Sequence, residues 1–173
     1  PDGIISVGGD AFSDCVSVTV RSTISGKPLY KAVTATDGSS AYNFILRNIW
    51  DKGGFDFTAQ DNYFPALQDE NLQYAIAFSR LMYRVNLSAA AEEHYLDFLH
   101  NNAENAVRYC ITQDSAELLG ICKENGLITA GNVTGLIEFA DEQGNTSAAA
   151  FLLTVANSPE HGNFCNPLSS LEL

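Results

Sequence analysis

Apolar residues in the C-terminal half of this 173-residue chain recur at an interval of thirty residues. Six residues of one unit each have an apolar counterpart in the next: Val107, Tyr109, Cys110, Leu118, Ile121 and Cys122 match Ile137, Phe139, Ala140, Ala148, Phe151 and Leu152. A single helix pair cannot bury its apolar face, so such units stack on one another. We therefore predict stacked helix pairs over about residues 103–157. We expect four aromatic or aliphatic side chains to form their shared core: Tyr109, Ile121, Phe139 and Phe151.

The turn of each unit carries local signals of its own. It consists of Gln113-Asp114 in the first unit and of Gln143-Gly144-Asn145 in the second. Asp114 and Glu117 have the spacing of a capping box, with Asp in place of the usual Ser or Thr. Gly126 and Gly144 stand where a helix often ends in a left-handed residue.

The segment from Cys122 to Ile128 resembles the end of the second helix of an ankyrin repeat. The interval is also close to the ankyrin period of about 33 residues. However, the Thr-Pro-Leu-His signature is absent, and the units leave no room for the ankyrin hairpin loop. The resemblance therefore implies ankyrin-like helix pairs, not ankyrin repeats.

Helical spacing also organises the chain ahead of the repeat. It predicts a helix over about 70–83, preceded by a turn or short helix in the aromatic residues 55–68. Ser88 is expected to cap a further helix. That helix carries three apolar residues on one side: Tyr95, Phe98 and Leu99.

Residues 1–20 follow a shorter-period pattern. They place Val7-Gly8, Ala11-Phe12 and Cys15 among apolar residues at fixed offsets, and alternating valines follow, as in a strand. The segment resembles one coil of the BspA-type leucine-rich repeats of bacterial proteins. This resemblance implies that the Val7-Gly8 and Ala11-Phe12 positions fill the inside of a coil. Because one coil cannot bury its own apolar face and the chain starts without Met, we expect the C-terminal end of a longer polypeptide.

Packing motifs are spread over most of the chain: Phe55-Asp-Phe57, Ala77–Tyr83, Tyr95–Leu99, Gly126–Thr129, Leu136–Ala140 and Asn166–Leu171. Together they are similar to a helical domain that follows leucine-rich repeats in proteins of gut Firmicutes. This similarity implies a mainly α fold, α+β overall. It places a terminal repeat coil and joint at 1–27, a helical domain at 28–157 and a flexible tail at 158–173. It implies architecture and interaction, and it transfers no catalytic residue.

The chain is strongly acidic, with 21 Asp and Glu against nine Lys and Arg and a net charge of −12. This charge repels phosphate backbones and anionic lipid, so we expect no binding to nucleic acid or to membrane surfaces. No apolar run is long enough for a membrane span, and no membrane insertion is expected. The same charge favours a basic protein partner.

The four cysteines, Cys15, Cys110, Cys122 and Cys165, lack the close paired spacing of metal or redox motifs. A free cysteine behaves as a small apolar residue, so buried thiols are the first interpretation. A bridge between Cys110 and Cys122 on neighbouring helices is the alternative. A reduced, cytoplasmic setting is slightly favoured, and a location at the cell surface is the alternative.

Residue patterns typical of catalysis are weak. His94 and His100 are six residues apart, which does not place both on one helix face for a metal. The helical spacing of Tyr42, Phe44, Ile45, Ile49 and Trp50 predicts a helix that ends at Gly53-Gly54, whereas a phosphate-binding loop precedes a helix. We therefore expect no metal, no cofactor and no enzymatic activity.

The expected function is that of a protein-protein interaction module at the end of a leucine-rich repeat array. Four aromatic residues are the candidate partner-binding residues: Tyr30, Trp50, Tyr63 and Phe64. Their exposure would favour binding, because apolar surface marks interaction sites. Their burial would favour a structural cap of the array, which is the alternative. A weaker alternative is an enzyme whose site between the two halves gathers His94 or His100 with carboxylates.

Overall fold

The computed structural model of the chain describes Thr23–Ile24, Lys27–Pro28 and residues 57–158. The described part is mainly α-helical, as the sequence predicts. By compactness the chain divides into two units, Pro1–Phe98 and Leu99–Leu173. The predicted leucine-rich repeat coil at 1–20, and all of the predicted tail except Ser158, lie outside the described residues.

Two short strands precede the helices. β1 is Thr23–Ile24 and β2 is Lys27–Pro28, and they pair antiparallel with Thr23 opposite Pro28. Both lie in or next to the segment predicted as the joint after the repeat coil.

The helices of the first unit follow the predicted order. Helix α1 spans Thr58–Tyr63 and continues into a 3-10 turn at Phe64–Ala66. Helix α2 spans Glu70–Met82, and helix α3 spans Ala89–Asn101, so the last residues of α3 belong to the second unit. The predictions for 55–68 and 70–83 are confirmed over the described residues.

Side chains at two helix starts explain these boundaries. Asp69 accepts a hydrogen bond from the backbone N–H of Leu72 at 3.0 Å, which caps α2. Ser88 accepts one from the N–H of Ala91 at 3.2 Å, so the predicted cap of α3 is confirmed. Such caps satisfy backbone donors that a helix start leaves unpaired.

The core of the first unit is rich in aromatic rings. Phe64 packs edge-on against Tyr95 and Phe98, with ring centroids 4.5 and 5.3 Å apart. Tyr74 of α2 meets the same Phe98 ring at 5.3 Å. The rings therefore tie the 3-10 turn and α2 to the part of α3 that lies in this unit, and ring pairs of this kind add to the gain from burial.

The described residues of the second unit form two helix pairs. They are α4 and α5 in the first pair, and α6 and α7 in the second: Ala103–Thr112, Ala116–Glu124, Val133–Glu142 and Thr146–Ala156. Equivalent helices begin thirty residues apart, as the sequence interval predicts. Each helix contacts its pair mate, α4 also contacts α6, and α5 also contacts α7.

The turns inside the two pairs have the same geometry. Asp114 and Gly144 occupy equivalent positions with left-handed backbones, at φ of 48° and 69°. Ser115 and Asn145 follow as the N-caps of α5 and α7 and accept from the N–H groups of Leu118 and Ala148. The predicted capping box at Asp114 is therefore wrong, because the cap is one residue later.

Left-handed glycines were predicted correctly. Gly126 has φ of 69°, as does Gly144. A residue with a Cβ is strained in this conformation, and glycine is not. Asp114 shows that the first turn adopts the same backbone without glycine.

The predicted core of the helix pairs requires a correction. Tyr109, Ile121, Phe139 and Phe151 are only half-buried. The fully buried equivalent positions are instead Ala106 with Leu136, Cys110 with Ala140, Leu119 with Ala149, and Cys122 with Leu152. One residue advances a helix by about 100°, so the inward face lies beside the positions that the larger side chains indicated.

Candidate interaction surface

The structure distributes the four predicted partner-binding aromatics unevenly. Tyr30 and Trp50 lie outside the described residues. Tyr63 is half-buried at the end of α1. Phe64 is only 2% exposed and packs among the rings of the first unit. Phe64 therefore belongs to the core rather than to a surface, because its ring is already covered by aromatic neighbours.

A different surface stands out on α7, the last described helix. None of the residues Thr146–Ala156 is charged. Leu153 is 49% exposed and is the large apolar side chain that lies open to solvent within the described residues. A helix that is apolar around much of its circumference is typical of one covered on several sides.

We define the α7 outer face by five residues: Ser147, Ala150, Phe151, Leu153 and Thr154. Four of them, Ser147, Ala150, Phe151 and Thr154, have the spacing i, i+3, i+4 and i+7, which places them on one side of the helix. Leu153 borders that side next to Ala150. All five are exposed except Phe151, which is half-buried.

The first helix pair supplies an internal comparison for this face. The equivalent residues of α5, thirty positions earlier, are Glu117, Gly120, Ile121, Lys123 and Glu124. Three of those five are charged, and all three are exposed. In α7 the three charges are replaced by Ser147, Leu153 and Thr154. The two pairs share a fold, so the fold does not demand this loss of charge.

The helices that contact α7 carry exposed carboxylates. They are Glu117 and Glu124 on α5 and Glu138, Asp141 and Glu142 on α6. The exposed basic residue on these two helices is Lys123. The uncharged face therefore belongs to a strongly acidic helix cluster, and the field there favours positively charged groups.

An open groove of about 370 Å³ lies where the turns of the two pairs meet. Thr112, Asp114 and Gln143 line it, together with Asn145 at the start of α7. The Asn145 Nδ2 donates to the Ile111 carbonyl at 2.9 Å, while its Oδ1 caps α7. The Asn145 side chain thus connects the second helix pair to the first, and the polar groove lies at this connection.

The first unit contains a buried ion pair that the sequence did not indicate. Arg80 Nε and Nη2 donate to the two carboxylate oxygens of Asp61 at 2.8 and 3.0 Å. The Tyr95 hydroxyl donates to Asp61 Oδ1 at 2.6 Å. The guanidinium also lies 4.3 Å above the ring of Phe57 and donates to the carbonyl of Val85.

These contacts satisfy the charges of Asp61 and Arg80, whose side chains are only 6% and 2% exposed. Burial, followed by the nearby Asp61 carboxylate, raises the pKa of Tyr95 far above its ordinary value. The tyrosine therefore stays protonated and acts as a fixed donor. The arrangement holds α1, α2 and α3 together, and its groups are occupied by one another rather than turned toward a substrate.

The histidines that entered the weaker enzyme alternative are both exposed on α3. Over the described ranges, no group of three His, Cys, Asp or Glu side chains lies close enough to hold a metal ion. Within the same residues, every helix is too short or too polar to cross a bilayer.

Comparisons of the chain with protein-family models, with curated proteins and with solved structures give no match. The resemblances to leucine-rich and ankyrin-like repeats therefore remain predictions from the sequence.

Proposed function

We propose that this chain is a protein-protein interaction module without catalytic activity, and that the α7 outer face contacts its partner. The observation that carries this proposal is the difference between the two helix pairs. Three exposed charges on α5 have uncharged counterparts on α7, and one of these is the exposed Leu153. The centre of an interface is depleted in charged residues, and the loss of these three charges fits that pattern.

The partner's chemistry follows from the surroundings of this face. The α7 outer face offers Phe151 and Leu153 at its two borders to an apolar segment, and the small residues Ser147, Ala150 and Thr154 between them permit close approach. The carboxylates on α5 and α6 would then pair with basic residues at the rim of the partner. An amphipathic helix with an apolar stripe and basic flanks has the required chemistry.

The architecture that we propose around this surface is an ankyrin-like stack at the C-terminal end of a leucine-rich repeat array. The thirty-residue interval of the helices supports it, as do the contacts between equivalent helices. In solenoids of this kind each repeat contacts its neighbours, and the last repeat has one open side.

A structural cap of the repeat array is the second candidate function. The burial of Phe64 favours it, because that ring stabilises the first unit instead of meeting a partner. Under this alternative, the α7 outer face has no partner outside the chain. The two candidates therefore predict different behaviour for Leu153.

The test restores to α7 the charge that α5 carries. Leu153→Lys introduces the residue found at the equivalent position of the first pair, Lys123. A partner captured from the source organism with the full-length polypeptide is purified, and its affinity is measured by calorimetry. We expect Leu153→Lys to weaken binding at least tenfold, since residues central to an interface contribute about 2 kcal/mol or more.

Lys123→Leu is the matched control, because it makes the reverse change on α5 and should leave the affinity within about twofold. Circular dichroism is used to check that both variants keep their helices. Equal binding by the natural chain and Leu153→Lys would reject the α7 outer face as the contact surface. Failure of the folded chain to retain any partner would favour the cap.

A further inference from the structure

Two thiols meet inside the first helix pair. Cys110 of α4 and Cys122 of α5 have their Sγ atoms 3.5 Å apart. Both side chains are fully buried, and both thiols are free. The sulfur atoms of a disulfide are about 2.05 Å apart, so bond formation needs them to approach by about 1.5 Å. A movement of this size is within reach of two side chains on adjacent helices.

Packing alone does not explain the sulfur atoms. The equivalent positions of the second pair are Ala140 and Leu152, and both are fully buried as well. An Ala and a Leu therefore fill this part of the core where no thiol is present. The chain places two oxidisable groups in contact in one pair and none at the same place in the other.

We propose that Cys110 and Cys122 form an oxidation site, at which hydrogen peroxide converts the dithiol into a disulfide joining α4 to α5. One sulfur attacks a peroxide oxygen, the O–O bond breaks, and a sulfenic acid and water form. The sulfur of the second cysteine then displaces the sulfenic oxygen, which leaves as a second water with the remaining thiol proton. The two sulfur atoms are oxidised together by two electrons, and the peroxide is reduced to water.

Burial sets the conditions for this reaction. Burial raises the pKa of the Cys110 thiol, and the hydrogen bond and charge interaction with Cys122 raise it further. The thiolate is the reactive form, so oxidation proceeds when the helix pair opens locally to solvent. Hydrogen peroxide therefore reacts slowly, and closure of the helix pair returns the second sulfur to within 3.5 Å of the first.

The chain itself simplifies the test. Cleavage by trypsin after Arg108 and Lys123 releases residues 109–123, which contain both cysteines and no internal Lys or Arg. The natural chain is treated with hydrogen peroxide in native buffer, unfolded, alkylated with N-ethylmaleimide, digested and weighed by mass spectrometry. We expect peptide 109–123 to lose two hydrogen atoms and to carry no maleimide. Dithiothreitol should reverse both changes.

The disulfide should also raise the melting temperature by several degrees, because it restricts the unfolded chain. The double variant Cys110→Ala with Cys122→Leu is the control, since it installs the residues of the second pair. Its melting temperature should not respond to peroxide. If this variant does not fold, the peptide result on the natural chain decides alone.

Two results would overturn the proposal. One is a peptide 109–123 that still carries two maleimide groups after the peroxide treatment. The other is sulfinic acid on either cysteine in place of the cross-link. Neither result bears on the α7 outer face, so this site and the proposed interaction can fail separately.

Discussion

Asp61 and Arg80 form a two-point ion pair in the interior of the first unit, nineteen residues apart in the chain. Both side chains are buried away from water. The Asp61 carboxylate also accepts a hydrogen bond from Tyr95, and the Arg80 guanidinium lies over the Phe57 ring and donates to the Val85 carbonyl. Removing two charges from water is unfavourable, and the gain from their pairing depends on such additional contacts. The pair is therefore most informative when one partner is removed.

Asp61→Asn is expected to destabilise the first unit by about 3–5 kcal/mol, because it leaves the Arg80 charge buried without a counter-ion. Urea unfolding followed by circular dichroism measures this. Glu92→Gln is the control, since it breaks the ion pair between the exposed Arg84 and the half-buried Glu92, whose charged atoms are 2.7 Å apart. Exposed pairs contribute about 1 kcal/mol or less. A loss of equal size in both variants would contradict a structural role for the buried pair.

We expect the first unit to lose stability at alkaline pH because of Tyr95. Its pKa is raised in the folded chain, so the unfolded chain loses this proton first, near a pH of about 10. The contribution of Tyr95 to the free energy of unfolding is fully present below that pH. Above it this contribution declines by about 1.4 kcal/mol per pH unit for one proton. Urea unfolding between neutral and alkaline pH measures the decline. In Tyr95→Phe the slope should be smaller by that one proton, and an unchanged slope would contradict the assignment.

Asn145 is expected to stabilise the second unit more than its equivalent, Ser115. Asn145 caps α7 and also donates to the Ile111 carbonyl, whereas Ser115 only caps α5 among the bonds described. Loss of a cap costs about 1 kcal/mol, and loss of the second hydrogen bond adds about 1 more. Thermal melts of Asn145→Ala and Ser115→Ala compare them. Asn145→Asp keeps the capping oxygen and loses only the bond to Ile111, so it should cost about 1 kcal/mol, as Ser115→Ala does.

We expect substitutions at the two left-handed turn positions to change the free energy of unfolding in opposite directions. Asp114→Gly should stabilise the second unit by roughly 0.5–1 kcal/mol, because glycine adopts a φ of 48° without strain. Gly144→Ala should destabilise it by about 1 kcal/mol, although there is open space around the new Cβ. Chemical denaturation distinguishes them. Two changes of the same sign would show that the turns are not equivalent.

Local signals in the sequence predicted the helices well. The apolar spacing at 70–83 and the cap at Ser88 depend on residues within one or two turns, and the thirty-residue interval repeats such local patterns along the chain. The structure follows all three signals. The inward face of the helix pairs was less predictable. Large side chains such as Phe139 look like core residues, but the Arg108 guanidinium covers its ring from outside at 4.7 Å.

Long-range relationships account for most of what the sequence did not indicate. Asp61 is 34 residues from Tyr95, and no local pattern links them. A single charged residue, Arg80, within the mostly apolar stretch 74–82 of α2 was the available signal. The α7 outer face became visible only after the structure had shown which residues of the two helix pairs are exposed.

The equal spacing of the two helix pairs also makes their parts interchangeable. Asn145 stands in the second pair where Ser115 stands in the first, directly after a left-handed turn residue. Excision of residues 115–144 would therefore join Asp114 to Asn145 and lead α4 into α7 through a connection of unchanged length. In the same way, a duplicated block of this size would keep the caps of α5 and α7 and the four pairs of equivalent buried positions in phase. The second unit is thus organised so that the chain can lengthen or shorten by whole helix pairs without redesigning a single turn.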